Sequence, residues 1–338
     1  MERPLIIVGA PGSPYTRKVI AAARYCRIPY QFISDLSVVS TLPSPKIKLL
    51  PTCYFPDPDQ LVPETDSTPL LRKLESIAPG REFTPSDPRL AFLDALIEDF
   101  ADEWLVKAMF HYRWVFEADI LKARQYIPLW FETPLSDKAL EAAGTAFAER
   151  QIGRLGLVGS SPTTAATIEQ CFTRIAGLME KCLTDTPFLF GDRPGTADFG
   201  MYGQFSQLAV IDPTPREVID KQAPRVFAST IAIEDLSGWN RTGWTPFEEL
   251  SDALYGLLCE IGQTYAKLLL ANEQAMDRHE KTLETVIDGR PWKQPAFPYQ
   301  KKCLMALRDR FAALNPREQQ SLADFLHNTG CMEILGRG

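Results

Sequence analysis

An apolar run, Leu5-Ile6-Ile7-Val8, leads through Gly9-Ala10-Pro11-Gly12 straight into Ser13-Pro14-Tyr15-Thr16-Arg17-Lys18-Val19. A strand that turns this sharply into a helix leaves several backbone N–H groups unpaired at the helix start. Those donors, with the positive end of the helix dipole, form a site for an anion or a thiolate. Ser13 stands at the entrance to that site. Its hydroxyl can simply cap the helix, or it can donate to the sulfur of a bound thiol and favour ionisation. The segment by itself supports both readings equally.

A chain of 338 residues is long enough for two domains and a sizeable core. A net charge of −7 gives no electrostatic footprint for nucleic acid or for an anionic membrane. The seven cysteines (Cys26, Cys53, Cys171, Cys182, Cys259, Cys303 and Cys331) are widely spaced and include no CxxC pair. With no signal peptide evident, that usage predicts reduced thiols and a soluble, cytoplasmic protein. No stretch approaches the roughly 18 uninterrupted apolar residues of a membrane helix. His111, His279 and His327 lie far apart, so no metal site is expected.

The first 80 or so residues read as alternating strands and helices. Leu5–Val8 is a buried strand, residues 15–27 a helix and residues 30–34 a second strand. The Ser- and Pro-rich stretch 35–48 reads mostly as loop. Thr52–Phe55, a turn at Pro56-Asp57-Pro58-Asp59, and residues 60–62 form a hairpin signature. A helix over residues 68–77, ended by Pro79-Gly80, closes the unit. The order βαβ then ββα implies a mixed sheet with helices packed on it.

From Pro88 the pattern is helical, with helices expected over 90–114, 119–127, 147–155, 166–183 and 199–210. Residues 237–338 form an addition. It is read as a Trp-containing linker, one long helix or two over 247–284, a proline-broken stretch over 290–299, and helices over 301–314 and 318–326. The expected division is therefore 1–82, 88–236 and an extra helical extension, 237–338.

Three segments in order resemble the glutathione transferase superfamily over roughly residues 4–236. The first is Ser13-Pro14-Tyr15-Thr16-Arg17-Lys18-Val19, which resembles the active-site segment at the start of the first helix. The second is Leu50-Pro51, similar to the family's cis-proline, where the Leu50 backbone can pair with a bound peptide. The third is Glu64-Thr65-Asp66-Ser67, similar to the acidic residue and serine that grip the γ-glutamyl end of glutathione. Asp66 suits the ligand's ammonium, and Ser67 with its N–H at a helix start suits the carboxylate. Taken alone, Asp66 and Ser67 would read as helix caps. Arg193-Pro194-Gly195-Thr196-Ala197-Asp198-Phe199 resembles the family's buried capping motif, but Gly195 stands where Ser or Thr is usual, so the reciprocal box is incomplete.

The resemblance implies an α/β N-terminal domain of thioredoxin-like fold and an all-α C-terminal domain. It implies glutathione as co-substrate, with Ser13 holding the thiolate and Leu50, Pro51, Asp66, Ser67 and Lys48 binding the peptide. Serine rather than cysteine at this position favours conjugation, thiol-assisted isomerisation or ether cleavage over disulfide chemistry. A small hydrophobic electrophile would sit against the helical domain, with Tyr15, Trp104, Lys107, Ala108 and His111 as candidate pocket residues. Trp104, Lys107, Ala108 and His111 share one helical face, a stripe that in most helices is core. The acidic cluster Glu98, Asp99, Asp102 and Glu103 reads as a solvated or interdomain face, and Cys53 as buried and inert. The resemblance also implies a homodimer. The shortened connection before Pro51 and the long extension depart from the family pattern. The competing class is a protein of the same fold that binds partners without catalysis.

Overall fold

The structure is a computed structural model describing residues 4–56 and 60–336. Its first unit is built on β1 (Leu5–Val8), α1 (Pro14–Tyr25), β2 (Tyr30–Ile33), α2 (Leu36–Val39), β3 (Thr52–Tyr54), β4 (Pro63–Thr65) and α3 (Ser67–Ser76). The sheet order is β2-β1-β3-β4. β1 runs parallel to β2, with Leu5 opposite Tyr30, and antiparallel to β3, with Ile7 opposite Cys53. This is the mixed βαβ-ββα arrangement expected. Leu5, Ile7, Val19 and Cys53 are almost completely buried because this sheet and α1 close on one another.

Two local differences have physical causes. The return strand begins at Pro63 rather than at residue 60, because Thr52 pairs with Thr65 and Tyr54 with Pro63. Of the expected turn at 56–59, residues 57–59 lie outside the described residues. The connection before Pro51 keeps only the one-turn α2, capped by Asp35, which accepts from the Ser37 N–H at 2.8 Å.

The helical part comprises α4 (Pro88–Phe100), a π-helical turn (Ala101–Leu105), α5 (Val106–Val115), α6 (Glu117–Leu129), α7 (Asp137–Ile152), α8 (Ala165–Cys182), α9 (Thr196–Leu208), α10 (Pro213–Gln222) and α11 (Pro224–Ile233). The last two were not anticipated from periodicity. Each starts on a proline whose fixed φ suits a first helical turn. α9 crosses between both halves: Phe199 and Tyr202 pack with the sheet-side core, while Met201 and Phe205 face the helical core.

The start of α9 resolves the incomplete capping motif. Asp198 accepts from the Gly195 N–H at 2.8 Å and the Leu189 N–H at 3.0 Å. The acceptor that a Ser or Thr at 195 would supply comes instead from α4. Asp94 accepts from the Ala197 N–H at 2.8 Å, the Thr196 N–H at 3.2 Å and the Thr196 hydroxyl. A Cβ at position 195 would lie 2.3 Å from Asp94 Oδ1, so glycine there makes room for the substitute cap. Asp94→Ala is expected to cost about 1–3 kcal/mol in urea denaturation by orphaning buried donors. Gly195→Ala should destabilise by displacing Asp94, and the double variant should cost less than the sum of the singles.

Residues 237–338 are not helical throughout. They hold a short 3₁₀ turn (Phe247–Glu249), α12 (Asp252–Ile261), a π-helical turn (Gly262–Ala266), α13 (Lys267–Asp277), a hairpin of β5 (Thr282–Ile287) and β6 (Arg290–Pro295), α14 (Pro298–Ala312) and α15 (Pro316–Leu326). The hairpin corrects the expected helix up to residue 284 and the expected proline-broken stretch over 290–299. Asp288-Gly289 sits between its strands with φ of 53° and 71°. Asp-Gly flanked by alternating apolar residues is the sequence signature of such a turn.

This addition shares the helical core. Trp292 on β6 stacks on Trp104 at 5.0 Å, Tyr265 meets Phe100 edge-on at 6.1 Å, and Phe311 meets Phe92 at 6.0 Å. Leu257, Tyr265, Trp292 and Leu326 lie in one apolar cluster with Phe100, Trp104 and Phe172.

Candidate functional site

Ser13 caps α1. Its backbone is extended (φ −97°, ψ 118°) and its Oγ accepts from the Thr16 N–H at 3.3 Å. The hydroxyl proton has no acceptor among the described residues, so it is available to a ligand. The turn before it is clamped by the helical part. Arg113 donates to the Gly12 carbonyl at 2.9 Å, and Gln207 donates to the Pro11 carbonyl at 3.2 Å. Arg113 is itself held by Asp212 at 2.8 Å and Gln207 at 2.8 Å. These positioning residues come from nearly 100 to 200 positions away, and no local motif announces them.

The Leu50–Pro51 peptide bond is cis. Next to it, a cleft of about 390 Å³ is lined by Tyr15, Leu50, Asp66, Ser67, Glu103 and Tyr299, among others. Tyr15, Leu50, Asp66 and Ser67 therefore converge, as their separate motifs suggest. Pro51 is buried behind Leu50. Ser13 is one residue removed from Pro14 and two from Tyr15, but it does not line this cleft. Lys48 is exposed and faces a different groove, between α2 and Tyr54.

Asp66 adopts φ 79° and makes no cap with its side chain; its Oδ2 accepts from the Tyr299 hydroxyl at 2.9 Å. Tyr299 belongs to α14, so the extension supplies one wall of the cleft. Tyr15 donates its hydroxyl to the Asp102 carbonyl at 2.8 Å, and burial raises its pKa. That proton is already committed, which leaves Tyr15 as packing rather than as a thiol donor.

Beneath the cleft lies a buried ionic knot. Lys18 Nζ donates to Asp102 Oδ2 at 2.6 Å, to Glu98 Oε1 at 2.7 Å and to Ser67 Oγ at 3.3 Å. Ser67 donates to Asp102 Oδ2 at 3.2 Å. Burial acts to lower the Lys18 pKa, but the Asp102 and Glu98 carboxylates outweigh it and raise it. The cluster Glu98-Asp99-Asp102-Glu103 is thus an interdomain seam rather than a solvated face. Lys18 was not singled out in the sequence, where its helical face reads as ordinary.

Burial pushes Asp99 up to about 7, against the Tyr265 hydroxyl that favours the anion; burial and the Asp99 charge push Glu103 up to about 7. Raised carboxyl pKa values in the folded state mean stability that is full near pH 4 and lost as pH climbs through 7. Chemical denaturation is expected to show stability falling by at least about 1.4 kcal/mol, one pKa unit's worth, between pH 5 and 7.5. The double variant Asp99→Asn, Glu103→Gln should flatten that slope.

Trp104, Lys107, Ala108 and His111 do not line the cleft. They are 3%, 3%, 4% and 1% exposed. Trp104 donates to Cys171 Sγ at 3.0 Å. Lys107 donates to the Val158 carbonyl and Gln294 Oε1, each at 3.0 Å. His111 bonds Ser160 at 2.8 Å and Glu169 at 3.1 Å. The stripe is core, as such stripes usually are, because the β5–β6 hairpin covers it. Cys53 is fully buried, and burial raises its thiol to about 12.

Residues 136–228 match the family described as "Glutathione S-transferase, C-terminal domain". The matched stretch, from α7 into α11, is therefore a glutathione S-transferase C-terminal domain. The fold of the chain, a small mixed sheet followed by a largely helical part, is that of a glutathione transferase. Among solved structures, a Tau-class glutathione S-transferase from mango, Mangifera indica, is 13% identical, with 72% of this chain and 95% of that one covered at a TM-score of 0.43. A transferase family member from Pseudomonas fluorescens with two glutathione bound is 15% identical, covering 69% and 92% at 0.43. A Burkholderia graminis transferase with two glutathione molecules per subunit is 15% identical, covering 68% and 82% at 0.41. No curated protein sequence matches. No helix among the described residues of this transferase-fold chain is long and apolar enough to cross a membrane.

Proposed function

We propose that this chain is a glutathione transferase-like enzyme. Ser13 donates a hydrogen bond from its hydroxyl to the glutathione sulfur, which favours release of the thiol proton to solvent, and the thiolate then conjugates, isomerises or cleaves a hydrophobic electrophile. The observation that carries this reading is the convergence of Leu50, Asp66 and Ser67 on one cleft with Tyr15, whose near neighbour in the chain, Ser13, has an uncommitted hydroxyl proton. In it, Asp66 takes the ligand's ammonium. The Ser67 hydroxyl is engaged by Lys18 and Asp102, so its backbone N–H at the start of α3 is the group left for the ligand carboxylate. A homodimer, as the family resemblance implies, belongs to the same reading and is tested by sedimentation.

A free thiol of pKa near 8.5 is mostly protonated at neutral pH, and lowering it by about 2 units takes roughly 2.7 kcal/mol. One hydrogen bond to a charged group supplies about 1.5–3 kcal/mol and the helix dipole up to ~1. No metal is required for that chemistry.

Two measurements test it. Calorimetry should show glutathione binding that weakens about 10- to 100-fold in Asp66→Asn, the loss of one charged hydrogen bond. In a conjugation assay Ser13→Ala should lower kcat about 100-fold with little change in KM, since the bond strengthens only as the thiolate forms. Absence of binding at millimolar glutathione would leave the non-catalytic reading, in which the fold serves as an interaction module. The Tyr299–Asp66 hydrogen bond favours that alternative, because it engages one oxygen of the carboxylate the ligand would use. Tyr299→Phe should therefore tighten glutathione if Asp66 is its site, and should change nothing if the cleft is closed to it.

A further inference from the structure

A second cavity, of about 260 Å³, lies between α3, α4 and α14 and shares Asp66 and Tyr299 with the cleft. Its wall carries three cations: Arg72 from α3, and Lys302 and Arg310 from α14. Among the described residues none of the three has a hydrogen bond or an ion pair; Lys302 lies 5.9 Å from the Tyr299 ring centre. The carboxylates of the same cavity are in the opposite condition. Glu98 accepts from Lys18 at 2.7 Å and from the Thr68 hydroxyl at 3.0 Å. Asp66 accepts from Tyr299 at 2.9 Å, and Asp99 accepts from Tyr265 at 2.7 Å. Each of the cavity's carboxylates thus has one oxygen engaged by another group, while its three cations have no such partner.

Two guanidiniums facing one space repel each other, and an anion shared between them relieves that repulsion. Arg310 registers the mismatch: burial and then the Arg72 charge lower its pKa, and the attraction of Glu98, Asp94 and Asp99 does not restore it. Guanidinium presents a planar fork of donors matched to phosphate oxygens, and an adjacent ammonium adds a point charge. We propose that Arg72, Lys302 and Arg310 form a binding site for a phosphate dianion, either free or on a small phosphomonoester. The volume leaves room for the phosphate and only a few further atoms. Asp66 and Tyr299 line both spaces, but the three cations line only this one, so their variants read the phosphate site separately from the glutathione reading.

The test is calorimetric titration of the full chain with inorganic phosphate in low-salt buffer at neutral pH, with glycerol phosphate as a second arm and acetate as a control. The expected result is saturable one-site binding of phosphate and little heat from acetate. Equal or tighter binding of glycerol phosphate would place the natural ligand among monoesters, and its exclusion would assign the site to the free ion; either outcome supports the site. Arg72→Gln changes an exposed side chain and leaves the core intact, so it should weaken phosphate at least tenfold. Arg310→Lys keeps the charge but loses the fork and should weaken it by a similar factor. Phosphate binding that is absent, or unchanged in Arg72→Gln, overturns the proposal whatever glutathione does.

Discussion

Replacing Lys18 by Met is expected to cost about 3–5 kcal/mol, read as a lower urea midpoint, because it strands two buried carboxylates. Glu98 and Asp102 are 3% and 7% exposed, and Lys18 is the cation that both share. Asp102 Oδ1 already lacks a partner, so this carboxylate is under-satisfied even before Lys18 is removed. The cost belongs to the orphaned charges rather than to the lost attraction. The triple variant Lys18→Met, Glu98→Gln, Asp102→Asn should therefore recover most of the stability. If the single variant unfolds at the parent midpoint, the knot is not what joins α1 to α4.

The second large effect concerns the addition. A chain ending at Leu236 is expected to lose cooperative unfolding and to bind hydrophobic dyes, since it would expose the faces of Phe92, Phe100 and Trp104 that Phe311, Tyr265 and Trp292 cover. In the full chain Trp292→Ala should cost about 3–5 kcal/mol, the usual price of emptying a buried aromatic site. Trp292 is 1% exposed, which leaves the cavity little chance to fill with water. A truncated chain that unfolds sharply at the parent midpoint would show the addition to be an accessory. The proposed partition at residue 237 is therefore one of sequence and not of core.

Much of the first unit was legible because its signals are local. An apolar run, a Gly-Pro turn and Ser-Pro at a helix start each act within a few residues, and β1, α1 and the cap at Ser13 follow. The cis bond at Leu50-Pro51 and the positions of Asp66 and Ser67 came from resemblance rather than from periodicity. The hairpin over 282–295 carries a local turn signal at Asp288-Gly289, but the prolines at 291 and 295 have the local signature of a broken loop. Those prolines are tolerated because β6 pairs on one edge only.

The candidate site divides the same way. Which residues can cap, ionise or pair is written in the chain: Ser13 at a helix start, Asp66-Ser67 at another, an acidic run on α4. Which of them face a ligand is set by neighbours far away in sequence. Tyr299 reaches Asp66 across 233 positions, and Gln294 reaches Lys107 across 187. Those contacts turn one predicted pocket face into core and build the cleft wall from the extension. The sequence by itself determined the local turns, caps and amphipathic faces, because their energies arise within one or two helical turns. Only the tertiary structure decided which charges are buried together and which side chains stay open to a ligand, because desolvation depends on everything packed around a group.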